Sequence, residues 1–256
     1  MRMTTMNDLT ALQTNQGIVY PSVNVQLSLR MIERTSKKNT SRMCVVTGQP
    51  GTGKTSAAHY AENFFAATVY IRALQSVRLQ QLVRMIAKKL DYTDSKYSRY
   101  PDVFEWVVDY ANNKKLIVLV DESDYLMDSH LNGLRDLSDQ AGATIVFFGT
   151  NTFLNTIGKV KNAEYLQQFT SRLATKKVQT QALSIEELAS FILMPAFGDI
   201  TKKGAALEEF FKRCQGIWRI ADDLVDACKD FLDLYPTDYQ GFSKKLVEAA
   251  AKDLGV

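Results

Sequence analysis

The sequence predicts an α/β fold: a five-stranded, mainly parallel sheet flanked by helices, followed by a small all-helical domain. Three observations carry that expectation. Short apolar runs alternate with helix-periodic segments from Met43 onward, the order expected of strand–helix–strand units. The run Leu116–Val120 is continuously apolar, as in a strand buried on both faces. After Ser184 strand-like runs cease and helical periodicity alone remains.

Taken in order, the first forty residues read as polar and irregular, with a short apolar patch at Gly17-Ile18-Val19-Tyr20 and a helix from Val23 to Arg34. Small polar and charged residues make Thr35–Ser41 a loop. Met43–Thr47 is the first core strand, followed by a helix from about Thr55 to Phe65. Thr68–Arg72 is the second strand. Leu79, Leu82, Val83, Ile86 and Leu90 then recur at helical spacing. Asp91–Tyr100 is turn-rich, and Pro101 suits the first turn of the next helix. Leu116–Val120 is the third strand. Leu131, Leu134, Leu137 and Ala141 mark a helix, Thr144–Phe148 a fourth strand and Lys177–Gln181 a weaker fifth. Ser184-Ile185-Glu186-Glu187 has the form of a capping box. Helices are then expected at about 202–214, 217–234 and 240–254. The expected division is an N-terminal segment with a linker helix (1–40), an α/β core (41–182) and a helical lid (183–256).

Composition narrows the classes of function. The chain has 256 residues, 46% apolar, with 13 Gly and 5 Pro; such a chain buries a full core and is neither disordered nor fibrous. No apolar run approaches the roughly 20 residues of a membrane span, and the amino terminus has no signal-like apolar region. A cytoplasmic protein without a membrane partner is expected. Three cysteines, Cys44, Cys214 and Cys228, form no CxxC pair and fit reduced thiols. Two histidines, far apart, exclude a His-rich metal site. The net charge of +3 permits an acidic partner without arguing for one.

Gly48-Gln49-Pro50-Gly51-Thr52-Gly53-Lys54-Thr55 fits G-x-x-x-x-G-K-[ST]. Glycines let backbone N–H groups turn inward around phosphate oxygens, and the next helix adds its positive dipole end. Lys54 would reach the β- and γ-phosphates of ATP, and the Thr55 hydroxyl would ligate Mg²⁺. Its position after an apolar strand and before a helical pattern supports the assignment. The strand Leu116–Val120 runs into Asp121-Glu122, placing two carboxylates at the sheet's carboxyl edge. Asp121 would hold Mg²⁺ through water and Glu122 would polarise the attacking water. Alone, such a pair is a solvated turn; coupled to the glycine-rich loop it reads as catalytic. If the fourth strand lies between the first and third, Asn151, ahead of Thr150, can hydrogen-bond the lytic water or γ-phosphate. A turn cap is the competing reading.

These residues resemble the AAA+ P-loop ATPases. The resemblance adds Ser171-Arg172, whose arginine would reach a neighbouring subunit's γ-phosphate, and Gly216-Ile217-Trp218-Arg219, whose Arg219 would touch the phosphates from the lid. Within AAA+ proteins the chain resembles the phage Mu B family of target-DNA activators, over about Ile18 to Phe231. The likeness includes the phosphate loop through Ser56 and Ala58, Val69-Tyr70-Ile71, Asp121-Glu122-Ser123-Asp124-Tyr125-Leu126 and Phe169-Thr170-Ser171-Arg172-Leu173-Ala174. It implies ATP-bound subunits that self-associate as helical oligomers on double-stranded DNA without strong sequence preference and that stimulate a transposase. That family carries a helix-turn-helix domain ahead of the core; here only a short segment precedes the first core strand, so DNA contact is expected from the core. Arg78, Thr93, Lys96 and Arg99 occupy family positions that line the DNA; Lys159 and Lys161 are a second patch. Ordinary solvated charge explains each equally well. Ile18, Val19 and Ile220 can pack on adenine, or be plain core. The rivals are a helicase-loader or initiator-like ATPase, a nucleotide-gated scaffold with little turnover, and a P-loop kinase, the last disfavoured by Arg172 and the helical appendix.

Overall fold

The computed structural model describes residues 9–14, 17–93, 99–159, 169, 173 and 175–256. Backbone proximity divides it into two compact units: residues up to 49 with 54–180, and residues 50–53 with 181–256.

The first unit opens on a hairpin, β1 (Leu12–Thr14) with β2 (Gly17–Val19). This corrects the reading of an irregular start; strands of three residues are too short to show a period. Thr14 Oγ1 donates to Gly17 O at 2.8 Å, and the Tyr60 hydroxyl donates to Thr10 O at 2.7 Å. Helix α1 (Val23–Ser36) starts where the Ser22 hydroxyl accepts the Val25 N–H. It extends two residues beyond the predicted Arg34. There follow β3 (Met43–Thr47), α2 (Lys54–Phe64), β4 (Thr68–Arg72), α3 (Leu79–Lys89), α4 (Tyr100–Lys114) and β5 (Ile117–Asp121). A 3₁₀ turn at Ser123–Tyr125 leads to α5 (Asp128–Ala141), β6 (Thr144–Gly149), α6 (Asn151–Lys159) and β7 (Lys177–Gln179).

The sheet order is β4-β5-β6-β3-β7, every neighbouring pair parallel. Alternate residues supply two cores. Met43, Val45, Val118, Val120, Ile145 and Phe147 face one layer with Leu82, Ile86, Val103, Val107 and Leu134. Cys44, Val46, Leu119, Val146 and Phe148 face the other with Leu29, Ile32, Ala57 and Ala61. Burial on both faces is why these runs show no polar alternation, and each fully buried aliphatic chain contributes about 1.5–3 kcal/mol. All connections return to the start of a parallel strand, so every loop leaving a strand end gathers at one edge.

In the second unit, α7 (Ile185–Leu188) passes through a π-helical turn at Ala189–Leu193 into α8 (Met194–Phe197), followed by α9 (Gly204–Cys214), α10 (Trp218–Leu234) and α11 (Lys244–Leu254). The capping box forms: Ser184 Oγ accepts the Glu187 N–H at 3.2 Å and Glu187 Oε2 accepts the Ser184 N–H at 3.1 Å. Leu188, Phe210, Leu224, Cys228, Leu246 and Val247 form the core. Gly216 has φ of +69°, and a Cβ there would lie 2.3 Å from Leu183 O. Its place in Gly-x-x-Arg therefore has a packing reason.

All three cysteines are free and buried. Burial pushes the Cys44 and Cys228 thiols up to about 12, which leaves them inert as nucleophiles near neutral pH. Among the described residues, no helix is long and apolar enough to cross a membrane.

Candidate nucleotide-binding site

β3 ends at Thr47, and the chain turns through residues 48–53 before α2 begins at Lys54. Gly51 and Gly53 hold φ of +77° and +84°, conformations that side chains with a Cβ resist. Gly51 is also crowded: a Cβ would meet Ile217 Cγ2 at 2.8 Å and Arg219 Cβ at 3.7 Å. The Trp218 N–H donates to Gly51 O at 3.0 Å. The Lys54 ammonium folds over the loop's own carbonyls, 3.0 Å from Gly48 O and 2.8 Å from Gln49 O. Those bonds keep the ammonium at the mouth of the loop.

Asp121 ends β5 and is buried. Its Oδ2 accepts the Thr55 hydroxyl at 2.8 Å and the Tyr70 hydroxyl at 2.9 Å; its Oδ1 accepts the Glu122 N–H at 2.9 Å. A hydroxyl and a carboxylate brought together from separate elements suit a hard cation, and Mg²⁺ needs only one or two protein ligands besides water and phosphate. The residues present therefore fit Mg²⁺. Burial first, then the Asp121 charge, pushes the Tyr70 phenol above its ordinary range, so it stays a donor.

Glu122 sits at φ +53° and ψ +41°, a left-handed conformation uncommon for a long side chain. Such outliers concentrate at functional sites. The turn is held by the Glu122 N–H bond to Asp121 and by the Ser123 hydroxyl donating to Val120 O at 2.8 Å. Glu122 Oε1 accepts Arg72 Nη2 at 3.1 Å.

β6 does lie between β5 and β3, which brings the chain after Gly149 to the same edge. Thr150 donates through its N–H and its hydroxyl to Asp124, at 2.7 and 2.6 Å, and its Oγ1 accepts the Thr152 N–H at 3.2 Å. Its hydroxyl is thus engaged within the protein. Asn151 begins α6 and is exposed.

The other predicted positions fall as follows. Ser56 lies in the first turn of α2 and Thr52 is buried. Val19 is buried in a core layer, whereas Ile18 is 56% exposed. Arg219 and Ile220 lie in the first turn of α10. Arg78 and Thr93 flank α3, a helix of about 16 Å, and Arg99 precedes α4; all three are exposed. Arg172, Lys96 and Lys161 lie outside the described residues, as does the Lys159 side chain. Sequence reasoning missed Tyr70, Arg72 and Asp124 as site neighbours. Tyr70 and Arg72 point to one side of β4 by the two-residue period, but only pairing with β5 turns them toward Asp121 and Glu122.

Residues 37–157 match the model of a family described as an AAA domain. Among solved structures, the chain is similar to Drosophila ORC bound to DNA, at 18% identity and a TM-score of 0.59, covering 100% of this chain and 70% of that one. It is also similar to the S. cerevisiae Hsp104–ADP complex, at 17% identity and a TM-score of 0.61; there 96% of this chain is covered but only 44% of the other. At such identities the likeness is one of fold. No curated protein sequence matches the chain. Together with a parallel sheet ordered around the phosphate loop, these matches establish that the chain has the fold of an AAA+ P-loop NTPase.

Proposed function

We propose that the chain is a Mg²⁺-dependent ATPase that assembles on duplex DNA in its ATP state and acts in DNA transposition as target selector and transposase activator. The observation that carries the ATPase reading is the 2.8 Å bond between Thr55 and Asp121, with Glu122 next in the chain. Lys54 reaches the β- and γ-phosphate oxygens. Thr55 and Asp121 hold Mg²⁺, which when bound neutralises charge developing on the phosphates. Glu122 takes the proton of the attacking water. Arg219 contributes positive charge from the lid, and Arg172 does so from a neighbouring subunit, making turnover depend on assembly.

Arg72 restrains Glu122. Their ion pair is partly exposed, with side chains 62% and 37% accessible; such pairs contribute about 0.2–1 kcal/mol. Arg72→Ala should therefore raise basal hydrolysis by no more than about fivefold. A fall in basal rate would show that Arg72 assists rather than restrains.

The DNA and transposition part rests on the Mu B-like motifs and on Arg78, Thr93, Lys96 and Arg99. The likeness to a DNA-bound ORC supports DNA contact and equally favours an initiator-like role. Fluorescence anisotropy on a random-sequence duplex, with ATP, ADP or no nucleotide at several salt concentrations, tests it. Tight, salt-sensitive binding with ATP alone is expected. Binding in no state would overturn the DNA reading and leave the ATPase. Stimulation of a transposase on the coated duplex separates the activator from the initiator-like role.

A further inference from the structure

Tyr70 has no place in the phosphate-loop motif or the Asp-Glu strand end, yet its hydroxyl meets the carboxylate assigned to Mg²⁺. It shares Asp121 Oδ2 with Thr55, at 2.9 Å against 2.8 Å. The phenol is itself clamped by α2. The ring of His59, one turn beyond Thr55 on the same helix face, lies 4.2 Å from the Tyr70 ring between centroids. Glu62, nearly one turn further, accepts the Tyr70 backbone N–H at 3.4 Å through Oε1 and faces His59 Nδ1 at 3.4 Å through Oε2. The contacts close a ring. Helix α2 carries Thr55 to Asp121 on β5, Asp121 meets Tyr70 on β4, and Tyr70 returns to His59 and Glu62 on α2.

We infer that Tyr70 is a positioning residue for the divalent cation: it holds the Asp121 carboxylate in the orientation that receives Mg²⁺, and so sets cation affinity apart from nucleotide affinity. An ionised carboxylate offers about four acceptor sites. Among the described residues, Thr55, Tyr70 and the Glu122 N–H take up three, and the fourth, on Oδ1, would suit a cation-bound water. With Thr55 engaged as a cation ligand, Tyr70 and the Glu122 N–H would be left to prevent the carboxylate from rotating. Without the phenol one end of Asp121 is released. Partners of this outer kind typically change metal affinity by about 10–100-fold.

The inference rests on the nucleotide-site reading, so the test separates the two. Wild type and Tyr70→Phe are titrated with mant-ADP in EDTA and then, as nucleotide complexes, with Mn²⁺ followed by the free-ion EPR signal; Mn²⁺ accepts the same oxygen geometry as Mg²⁺. The expected result is unchanged mant-ADP affinity without metal and Mn²⁺ affinity about tenfold weaker in the variant. His59→Ala, which keeps the phenol but loosens its clamp, should fall between the two. Thermal unfolding without nucleotide checks that each variant is folded. Equal or tighter Mn²⁺ binding by folded Tyr70→Phe overturns the positioning role and leaves the nucleotide site standing. Failure of wild type to bind mant-ADP overturns the nucleotide site, and the inference with it.

Discussion

Lys54→Ala should abolish ATP binding at working concentrations. A charge-assisted hydrogen bond contributes about 1.5–3 kcal/mol, and Lys54 is placed to make such bonds to two phosphates. Losing them weakens binding by on the order of a hundredfold or more. The ammonium also bonds Gly48 O and Gln49 O, so the substitution loosens the loop as well. Lys54→Gln, which can keep one carbonyl contact but has no charge, separates the effects. Both variants should lose affinity in a mant-ATP titration while unfolding at nearly the wild-type temperature. DNA binding that depends on ATP should disappear with them. Unchanged ATP affinity in either variant would refute the phosphate-loop assignment.

Glu122→Gln should separate binding from turnover. The substitution preserves length and the backbone contacts that hold the left-handed turn: the bond to Asp121 uses the residue 122 N–H, and the next uses the Ser123 hydroxyl. What it removes is a proton acceptor, and general-base catalysis contributes about 10²–10⁴-fold. Single-turnover hydrolysis should slow by that order with mant-ATP affinity within about twofold of wild type, since Glu122 is not among the groups assigned to the phosphates. Complexes on duplex DNA should then outlast those of wild type, because hydrolysis is the proposed route to disassembly. Normal turnover in this variant would remove Glu122 as the base and favour a water held by other groups.

Much of the architecture was legible because its physical causes are local. Leu116–Val120 and Thr144–Phe148 read as buried strands because residues apolar on both sides need two covering layers. The glycine-rich turn after the first core strand read clearly because Gly51 and Gly53 answer a backbone demand that few other residues meet. Ser184 and Glu187 announced a helix start through a bond pair three residues apart. The hairpin at Leu12–Val19 escaped notice because its partners are weakly patterned and its order depends on distant support, such as Tyr60 bonded to Thr10.

The chain alone determined which chemistry is available: an ammonium and hydroxyl after a glycine-rich turn, two carboxylates after a buried strand, and helices in place of strands from Ser184 onward. Only the tertiary structure decided which of these groups meet. Thr55 and Asp121 stand 66 positions apart in the chain, and Tyr70 and Asp121 stand 51 apart. The Tyr70 contact exists because β4 pairs with β5 in a register that places Arg72 opposite Asp121. Of Thr150 and Asn151, the sequence favoured Asn151 as the polar contact. The structure separated them, because β6 enters between β5 and β3 and delivers Thr150 to Asp124 while Asn151 faces outward. Pattern along a chain records what each residue needs from its own backbone and from burial. Strand order and register, set by the packing of whole layers, determine what it touches.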